Sequence, residues 1–350
     1  MLIAVSNVHR QFTTDNYLFK NDNAFVGDNL LQAWGDLYTY AGENGITVCT
    51  PDTVDLNQID AFLFNDMPHM DDEYFVFAVR KKIPIYLLVS ENGFMAQANL
   101  DPSYHKYFKK IFTYYDPQID NIKYSKINYS FRLPQEINKN YKAKEKLCVM
   151  IAGNKYFLHS KELYSERIRA IRWFEKYHPV DFDLYGIGWN NNLIWTKNIV
   201  VNKIIRVFSR LPYMKNLFTA KYPSYRGEIE RKSTLLSKYR FSICYENCRD
   251  LSGYITEKIL DCLFAGCVPV YLGADNVGDH IPENCFIDKR RFSNYSDLYN
   301  YLTQMPEKVY LNYLDNIEKF LKSKRARQFS SEYFAETIVN EIKKDAAVNG

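Results

Sequence analysis

The sequence predicts an α/β protein made of two doubly wound, Rossmann-like domains that face a cleft, followed by C-terminal helices. With 350 residues, the chain is too long for one ordinary core and suits two domains of typical size. Short apolar runs alternate with helical segments twice along the chain, as in parallel sheets covered by helices. A polar, charged stretch between the two series indicates a linker.

The predicted boundaries follow these changes in composition. They give a first domain in residues 1–135, a linker in 136–146, a second domain in 147–325, and a final helix and tail in 326–350. Open α/β sheets bind ligands at the carboxyl ends of their strands, so we expect a site in the cleft. Glycosyltransferases, periplasmic binding proteins and some epimerases share this architecture, and the fold alone does not choose among them.

In the first domain, four apolar runs bounded by polar or proline residues predict buried strands: LIAVS, AFLFND, IPIYLLVS and KIFTYY. The stretch NLLQAWGDLYTYAGENG predicts a helix, with Gly45 as its C-terminal cap. Strands that alternate with helices predict a largely parallel sheet.

The second domain repeats the alternation. Its predicted strands are LCVMIAGN, VDFDLYG, YRFSICYEN, CVPVYLG and CFID, and its predicted helices are KELYSERIRAIRWFEKY and a segment that starts at Thr256. Three further helices are predicted in residues 295–302, 307–322 and 331–343. This half therefore predicts a second α/β domain.

Composition and charge exclude several classes of protein. Apolar residues make up 47% of the chain and charged residues 25%, as in soluble globular proteins. The net charge of +4 is small and its bases are spread along the chain, which argues against a nucleic-acid-binding protein. We find no run of about 18 apolar residues and no apolar signal-peptide core, so we expect a cytoplasmic protein, or one peripheral at the inner face of the membrane.

The cysteines and histidines predict no metal centre. The seven cysteines are scattered and form no C-x-x-C pair, which is typical of reduced core residues. The six histidines are dispersed and form no H-E-x-x-H motif.

The stretch YENCRDLSGYITEKILDCLFAGCVPVYLG, residues 245–273, holds the main candidate for chemistry. Thr256 is a good N-cap for an apolar helix whose first turn contains Glu257 and Lys258. Unpaired N–H groups and the helix dipole attract phosphates to such a turn. Lys258 suits a diphosphate, and Glu257 suits ribose hydroxyls. In the alternative, Glu257 merely complements the helix dipole and Lys258 is solvated.

The segment YRFSICYENCRDLSGYITEKILDCLFAGCVPVYLGADNV, followed by IPENCFI, resembles the signature of glycosyltransferase family 10, the α-1,3/α-1,4-fucosyltransferases. The family pattern is approximately F-x-x-x-F-E-N-S, then Y-[IV]-T-E-K-[LI], then V-P-[IV]-x-x-G. The match spans residues 239–287, and looser similarity covers most of the second domain. Tyr245 replaces the usual Phe and Cys248 the usual Ser, and both changes conserve shape.

This resemblance implies a GT-B fold, with an acceptor-binding N-terminal domain and a C-terminal domain that binds GDP-β-L-fucose. It implies transfer of L-fucose with inversion at the anomeric carbon and without an obligatory metal or other cofactor. We expect an α-1,3 or α-1,4 linkage to GlcNAc or Glc of a surface polysaccharide or lipopolysaccharide. The alternatives are an inverting GT-B enzyme with another nucleotide sugar and a non-catalytic nucleotide-sugar-binding protein.

The matching motif assigns the donor site residue by residue. Glu257 would bind the ribose and Lys258 the phosphates, while Asn247 and Tyr254 would line the diphosphate-sugar pocket. Glu246, at the strand end, is assigned to donor binding as well, with a purely structural role as its alternative.

The family also uses an arginine from the first helix of the donor domain against the diphosphate. The matching helix, SERIRAIRWFEKY, offers Arg169 and Arg167, with Arg169 slightly preferred. A guanidinium suits this role because it binds a phosphate through two parallel N–H donors. The alternative is an exposed helix face, which must hold at least one arginine of this helix.

Glu91 is the predicted general base. It follows the strand IPIYLLVS, where members of the family carry a Glu in a strand-end E-[SN]-x motif. An inverting transfer needs one carboxylate that takes the proton of the acceptor hydroxyl as it attacks the anomeric carbon. The alternative is a polar residue that merely ends the strand.

Residues 184–227 contain seven Lys or Arg and no Asp or Glu. Between 195 and 226 these bases are mixed with Ile, Val, Phe and Trp195, which suits anionic lipid headgroups. The alternative is an insertion packed on the donor domain. The expected partners are therefore GDP-fucose, a glycan acceptor and, through residues 195–226, an anionic membrane, but no nucleic acid.

Overall fold

The computed structural model describes residues 1–23, 29–190, 199–208, 211 and 220–347. It contains two parallel sheets, one in each half of the chain, and both are surrounded by buried apolar side chains. The predicted α/β class with two doubly wound domains is confirmed.

Six strands build the N-terminal sheet: β1 (Leu2–Asn7), β2 (Thr47–Cys49), β3 (Ala61–Asn65), β4 (Ile85–Leu88), β5 (Lys110–Thr113) and β6 (Tyr124–Lys126). All are parallel, in the order β2-β1-β3-β4-β5-β6. The helices of this half are α1 (Tyr17–Lys20), α2 (Gln32–Glu43), α3 (Glu73–Lys81) and α4 (Pro102–His105). The four predicted strands are confirmed. The edge strands β2 and β6 were missed because three residues carry almost no periodic signal.

Helix α2 forms where the sequence predicts a helix. Its buried Trp34, Leu37 and Ala41 recur at helical spacing and face the sheet. Gly45 takes the left-handed conformation, with φ of +70°, that ends such a helix. The predicted C-terminal cap is confirmed.

Five strands build the C-terminal sheet: β7 (Lys146–Ile151), β8 (Phe182–Tyr185), β9 (Tyr239–Tyr245), β10 (Val268–Leu272) and β11 (Ile287–Asp288). They are parallel, in the order β11-β10-β9-β7-β8. The helices of this half are α5 (Tyr164–Tyr177), α6 (Ile199–Phe208), α7 (Lys232–Leu236), α8 (Glu257–Phe264), α9 (Val277–His280), α10 (Tyr295–Thr303) and α11 (Glu307–Leu321). Every predicted strand and helix of this half is present.

The last helix, α12 (Ser331–Ala347), returns to the N-terminal domain. Its Ile338, Val339 and Ile342 are buried in the core that α2 covers, and the rings of Phe334 and Trp34 meet at 5.4 Å. The chain therefore crosses between the domains twice. The two crossings run side by side, and backbone hydrogen bonds join Phe131 to residues 329 and 331.

A loop of the C-terminal domain enters the N-terminal core. Its Cys248, Leu251 and Tyr254 pack among N-terminal apolar residues. Gly253 permits this approach, because a Cβ atom there would lie 2.1 Å from the Tyr114 carbonyl oxygen. The loop thus holds the two domains in contact beside the cleft.

A polar network reinforces the same contact. Asp116 of the N-terminal domain pairs with Lys126 at 2.6 Å and accepts a hydrogen bond from Asn276 of the C-terminal domain at 2.7 Å. His280, also from the C-terminal domain, lies 2.7 Å from the same carboxylate. In the described ranges no helix is long and apolar enough to cross a membrane.

Candidate active site

A cavity of about 660 Å³ lies between the two sheets. Its walls are built from residues at or just after the carboxyl ends of strands in both domains. On one side these are His9 after β1, Glu91 after β4 and Tyr129 after β6. On the other side they are residues 151–155, 186–188, Tyr245 and Asn247, at the ends of β7, β8 and β9. Both the position and the volume are typical of small-molecule sites in open α/β folds.

Helix α8 begins at this cavity. The Thr256 side-chain oxygen accepts a hydrogen bond from the Lys258 backbone N–H at 3.5 Å, which confirms the predicted N-cap. The Lys258 ammonium donates to the Thr256 hydroxyl and to the Glu257 carboxylate, both at 3.1 Å. The two charged side chains of the first turn line the cavity side by side.

These two charges keep each other ionised. Burial alone would raise the pKa of Glu257, but Lys258 and Lys232 hold it at about 2. Burial alone would lower the pKa of Lys258, but the Glu257 and Glu246 carboxylates raise it above its usual value. At neutral pH the cavity wall therefore carries a cation that suits a phosphate and an anion that suits hydroxyl donors.

Glu246 lies behind this turn and does not line the cavity. Its side chain is fully buried and accepts hydrogen bonds from the Thr256 backbone N–H at 2.9 Å and from the Thr256 hydroxyl at 2.7 Å. It also lies 3.5 Å from the Lys258 ammonium. The predicted donor contact does not fit this position, because both carboxylate oxygens already bind the helix cap. The structural alternative fits.

The two arginines assigned to the diphosphate lie on different faces of α5. Arg167 is buried and lines the cavity, where it donates to the Tyr245 carbonyl oxygen at 2.6 Å and to Asn247 Oδ1 at 3.1 Å. Arg169 exposes 68% of its side chain, pairs with Glu166 and does not line the cavity. Two positions along a helix differ by about 200°, so only one can face the site. The slight preference for Arg169 is not supported.

Asn247 and Tyr254 both line the cavity. Asn247 accepts from Arg167 and donates to the Tyr254 hydroxyl at 3.4 Å, so the three side chains form a chain of contacts. The Tyr254 ring is buried against Tyr114 of the N-terminal domain, with 5.2 Å between the ring centroids. Tyr254 thus also joins the domains, which its motif does not reveal.

Glu91 reaches the cavity from the opposite, N-terminal wall, directly after β4. Its Oε1 accepts from the Asn92 backbone N–H at 2.8 Å and from the Asn92 side-chain amide at 2.6 Å. Among the described residues, none donates a hydrogen bond to Oε2. One carboxylate oxygen of Glu91 is therefore oriented by the neighbouring Asn92.

The backbone at Glu91 is held from several sides. Asp66 Oδ1 accepts from the N–H groups of Ser90 and Glu91, at 2.7 and 2.9 Å. The Tyr114 hydroxyl donates to the Glu91 carbonyl oxygen at 3.3 Å, and the Tyr129 hydroxyl donates to that of Ser90 at 2.7 Å. These bonds fix the direction in which the Glu91 side chain leaves the strand.

No individual role was predicted for Asp66, although the strand end at residues 65–69 is a weaker candidate for the site than Glu91 in the sequence. It follows β3 in a left-handed conformation, with φ of +64°, and also accepts from the Asn99 side-chain amide at 2.8 Å. Burial raises the pKa of Asp66 to about 6, although the hydrogen bonds it accepts act in the opposite direction. The signal that could have found it is an Asp at a strand end, a residue type that tolerates left-handed backbone.

Lys232 and Asp261 line the cavity as well, and the sequence analysis missed both. The Lys232 ammonium lies 2.8 Å from Asp261 Oδ2, and burial raises the pKa of Asp261 to about 7. Asp261 follows Glu257 by four residues on the same face of α8, a spacing that is visible in the sequence. Lys232 comes from α7, and only the tertiary structure brings it to this wall.

Two other predictions concern metal binding and the basic segment 195–226. In the parts of the chain that the structure describes, no three His, Cys, Asp or Glu side chains form a group that could hold a metal ion. Metal-independent chemistry stays a prediction. Of the basic segment 195–226, residues 195–198, which include Trp195, together with 209, 210 and 212–219, lie outside the described residues.

The cavity therefore joins two kinds of chemistry. One wall has a guanidinium, an ammonium and the N-terminus of a helix, which together suit a diphosphate. The other wall has a carboxylate that can accept the proton of a hydroxyl group placed between the walls.

Known proteins resemble this chain in sequence and in fold. The model of glycosyltransferase family 10 (fucosyltransferase), C-terminal part, matches residues 142–343. The α-(1,3)-fucosyltransferase FucT of Helicobacter pylori is 32% identical over 74 residues, or 21% of this chain. The α-(1,4)-fucosyltransferase of Arabidopsis thaliana is 36% identical over 70 residues, or 20% of this chain. GDP-fucose protein O-fucosyltransferase 3 of Xenopus laevis is 38% identical over 86 residues, or 23% of this chain.

These matches span only 15%, 17% and 18% of the three relatives. Solved structures match over nearly the whole chain. A crystal structure of an α1,3-fucosyltransferase aligns with a TM-score of 0.52 and 14% identity over 97% of this chain and 90% of its own. Anabaena HepE in complex with UDP and glucose aligns with a TM-score of 0.54 and 10% identity over 98% and 99%. The shared fold is GT-B, as the sequence predicted.

Proposed function

Because the chain belongs to glycosyltransferase family 10, the fucosyltransferases, we propose that it is an inverting enzyme that transfers L-fucose from GDP-β-L-fucose to a hydroxyl group of a glycan. One observation carries the proposal. A single cavity is lined by Glu91 on its N-terminal wall and by Arg167 and Lys258 on its C-terminal wall. An inverting transfer needs these two functions on opposite sides of the sugar.

The donor lies along the C-terminal wall. Lys258 and the N-terminus of α8 bind the diphosphate, and Arg167, held by Asn247, binds it from α5. Glu257 accepts hydrogen bonds from the ribose hydroxyls; because its pKa is about 2, it is a carboxylate throughout the physiological range. Tyr254, which packs against Tyr114 of the N-terminal domain, closes the pocket where the two domains meet.

The reaction is a single displacement. The acceptor oxygen attacks C1 of fucose from the face opposite the diphosphate, and Glu91 takes the proton of that hydroxyl group. The bond from C1 to the β-phosphate oxygen breaks, and its electron pair leaves with GDP. Inversion turns the β-linked donor into an α-linked product. Arg167 and Lys258 stabilise the negative charge that grows on the leaving diphosphate.

We assign the acceptor to the N-terminal wall. A second cavity of about 160 Å³ adjoins the first, shares Leu30 and Tyr129 with it, and is lined by both polar residues (Asn7, Asn65) and aromatic ones. It suits one face of a sugar ring. The proposed product is an α-1,3 or α-1,4 fucoside of GlcNAc or Glc in a surface polysaccharide or lipopolysaccharide made in the cytoplasm, either free or at the inner face of the membrane.

Mass spectrometry tests the proposal. The full chain is incubated with GDP-fucose and a panel of acceptors that end in GlcNAc or Glc or that carry Ser and Thr hydroxyls, with and without EDTA. We expect one deoxyhexose on a glycan acceptor and no loss of product with EDTA. Transfer from UDP-glucose or GDP-mannose in place of GDP-fucose would contradict the donor assignment. Binding of GDP-fucose without transfer to any acceptor would identify a binding protein instead.

A further inference from the structure

Helix α6 buries the polar Asn202 and exposes most of its apolar residues, although Ile205 is buried as well. Asn202, at 6% exposure, faces the protein and donates a hydrogen bond to the Tyr156 hydroxyl at 3.3 Å. On the outer face, Ile204 is 48% exposed and Val207 is 61% exposed. A surface helix of a soluble protein normally shows the opposite arrangement.

Apolar residues dominate the exposed face, on which Lys203 is also exposed. Exposed residues recur at positions 200, 201, 204, 207 and 208, which form one stripe at helical spacing, and Leu211, just beyond the helix, is 53% exposed. Six of the large apolar side chains that the structure describes as exposed thus fall within twelve residues. Such a cluster marks an interaction site.

The charge of this segment indicates which kind of partner the apolar stripe contacts. Lys203, on the helix itself, is exposed. No acidic residue occurs between 184 and 227, while seven bases do. An apolar stripe beside bases, without acids, matches an anionic bilayer surface, where the side chains enter the acyl boundary and the bases meet the headgroups.

We propose that α6 lies in the plane of an anionic lipid bilayer and docks the protein on it through Ile204, Val207 and their apolar neighbours. The helix has ten residues and lies flat on the surface. The proposal does not depend on the nature of the transferred sugar.

Helix α6 lies close to the large cavity, so docking would bring the bilayer near the site. Tyr156, which holds Asn202, directly follows Asn154 and Lys155, and these two residues line the large cavity. A bilayer that contacts α6 therefore lies near one end of the cavity.

Vesicle flotation tests the docking. The full chain is mixed with phosphatidylcholine vesicles that contain about 30 mol% phosphatidylglycerol, or none. The test variant is Ile204→Asp with Val207→Asp. The matched control is Ile122→Asp with Val180→Asp, because these two apolar residues are 80% and 82% exposed elsewhere on the surface. GDP affinity, measured by calorimetry, verifies that both variants are folded.

We expect the wild type and the control to bind the anionic vesicles, and the α6 variant to lose about tenfold or more in affinity. Binding should weaken on pure phosphatidylcholine and at high salt. Equal binding of the α6 variant and the control, or no binding of the wild type to anionic vesicles, would overturn the proposal. So would a wild-type dimer in solution that only the α6 variant converts to a monomer, because the stripe would then be an interface between two copies.

Discussion

Glu246 and Thr256 lock the start of helix α8 to the end of its neighbouring strand, β9. The buried Glu246 carboxylate accepts from both the backbone N–H and the hydroxyl of Thr256, at 2.9 and 2.7 Å. The cap residue therefore cannot rotate away from the strand. Because Glu257 and Lys258 follow directly, this pair sets the position of both charges in the cavity.

Replacement of Glu246 by Ala should loosen the first turn of α8. The Thr256 N–H loses its buried partner, which costs about 1–3 kcal/mol of local stability. Hydrogen exchange read by mass spectrometry on a peptide covering residues 254–264 should become about ten times faster or more. The control is Glu283→Ala, since 68% of that side chain is exposed. Unchanged exchange in the Glu246 variant would show that the cap does not depend on this carboxylate.

Arg167 and Arg169, both on α5, provide a test variant and its matched control. Arg167→Ala should weaken GDP binding by about 10–100-fold, because it removes a charge-assisted contact with the diphosphate. Arg169→Ala should leave GDP affinity unchanged, since its side chain is exposed outside the cavity. Isothermal titration with GDP measures both, and melting temperatures verify folding. A larger loss in the Arg169 variant would reverse the assignment.

Lys258→Ala should also weaken GDP binding by about tenfold or more, because it removes a cavity-lining ammonium that lies 3.1 Å from the Thr256 hydroxyl at the start of α8. Calorimetry at low and high salt distinguishes this contact from a structural role, since the loss should shrink as salt screens the phosphate charge. Lys308→Ala, an exposed lysine on α11, serves as the control. A GDP affinity equal to that of the control would refute the phosphate role.

Asp66 is a positioning residue for Glu91. Asp66→Ala removes the acceptor for the N–H groups of Ser90 and Glu91, so the carboxylate of Glu91 should lose its alignment. We expect kcat to fall by about tenfold or more while the KM for GDP-fucose stays the same. Asp66→Asn should restore most of kcat, because its amide oxygen can accept the same two bonds. A KM effect without a kcat effect, or no rescue by Asn, would exclude this role.

The sequence predicted the elements of the fold well and their long-range contacts poorly. Strands such as β4 and β9 and the first turn of α8 are local, since apolar runs and a Thr-Glu-Lys cap define them. The return of α12 onto α2 could not be predicted, because it depends on contacts between residues some 300 positions apart.

The differences between the predicted site and the observed cavity have the same origin. Arg167 and Arg169 differ only in the rotation of α5 against its sheet, which a resemblance between short motifs does not fix. Glu246 belongs to the motif and holds Thr256, and a motif does not separate a supporting residue from one that touches a ligand. Asp66 and Lys232 reach the cavity from separate elements and carry no motif of their own.

The pairing of Glu91 with the donor across the cavity is the central claim, and Glu91→Gln tests it most directly. The variant keeps the shape of the side chain but cannot take a proton, and Glu73→Gln, on the exposed start of α3, is its control. GDP-fucose affinity and fucosyl transfer are measured on the same preparation. We predict unchanged affinity and a loss of transfer of about 10²–10⁴-fold in the Glu91 variant alone. Transfer at the wild-type rate in Glu91→Gln would contradict the account.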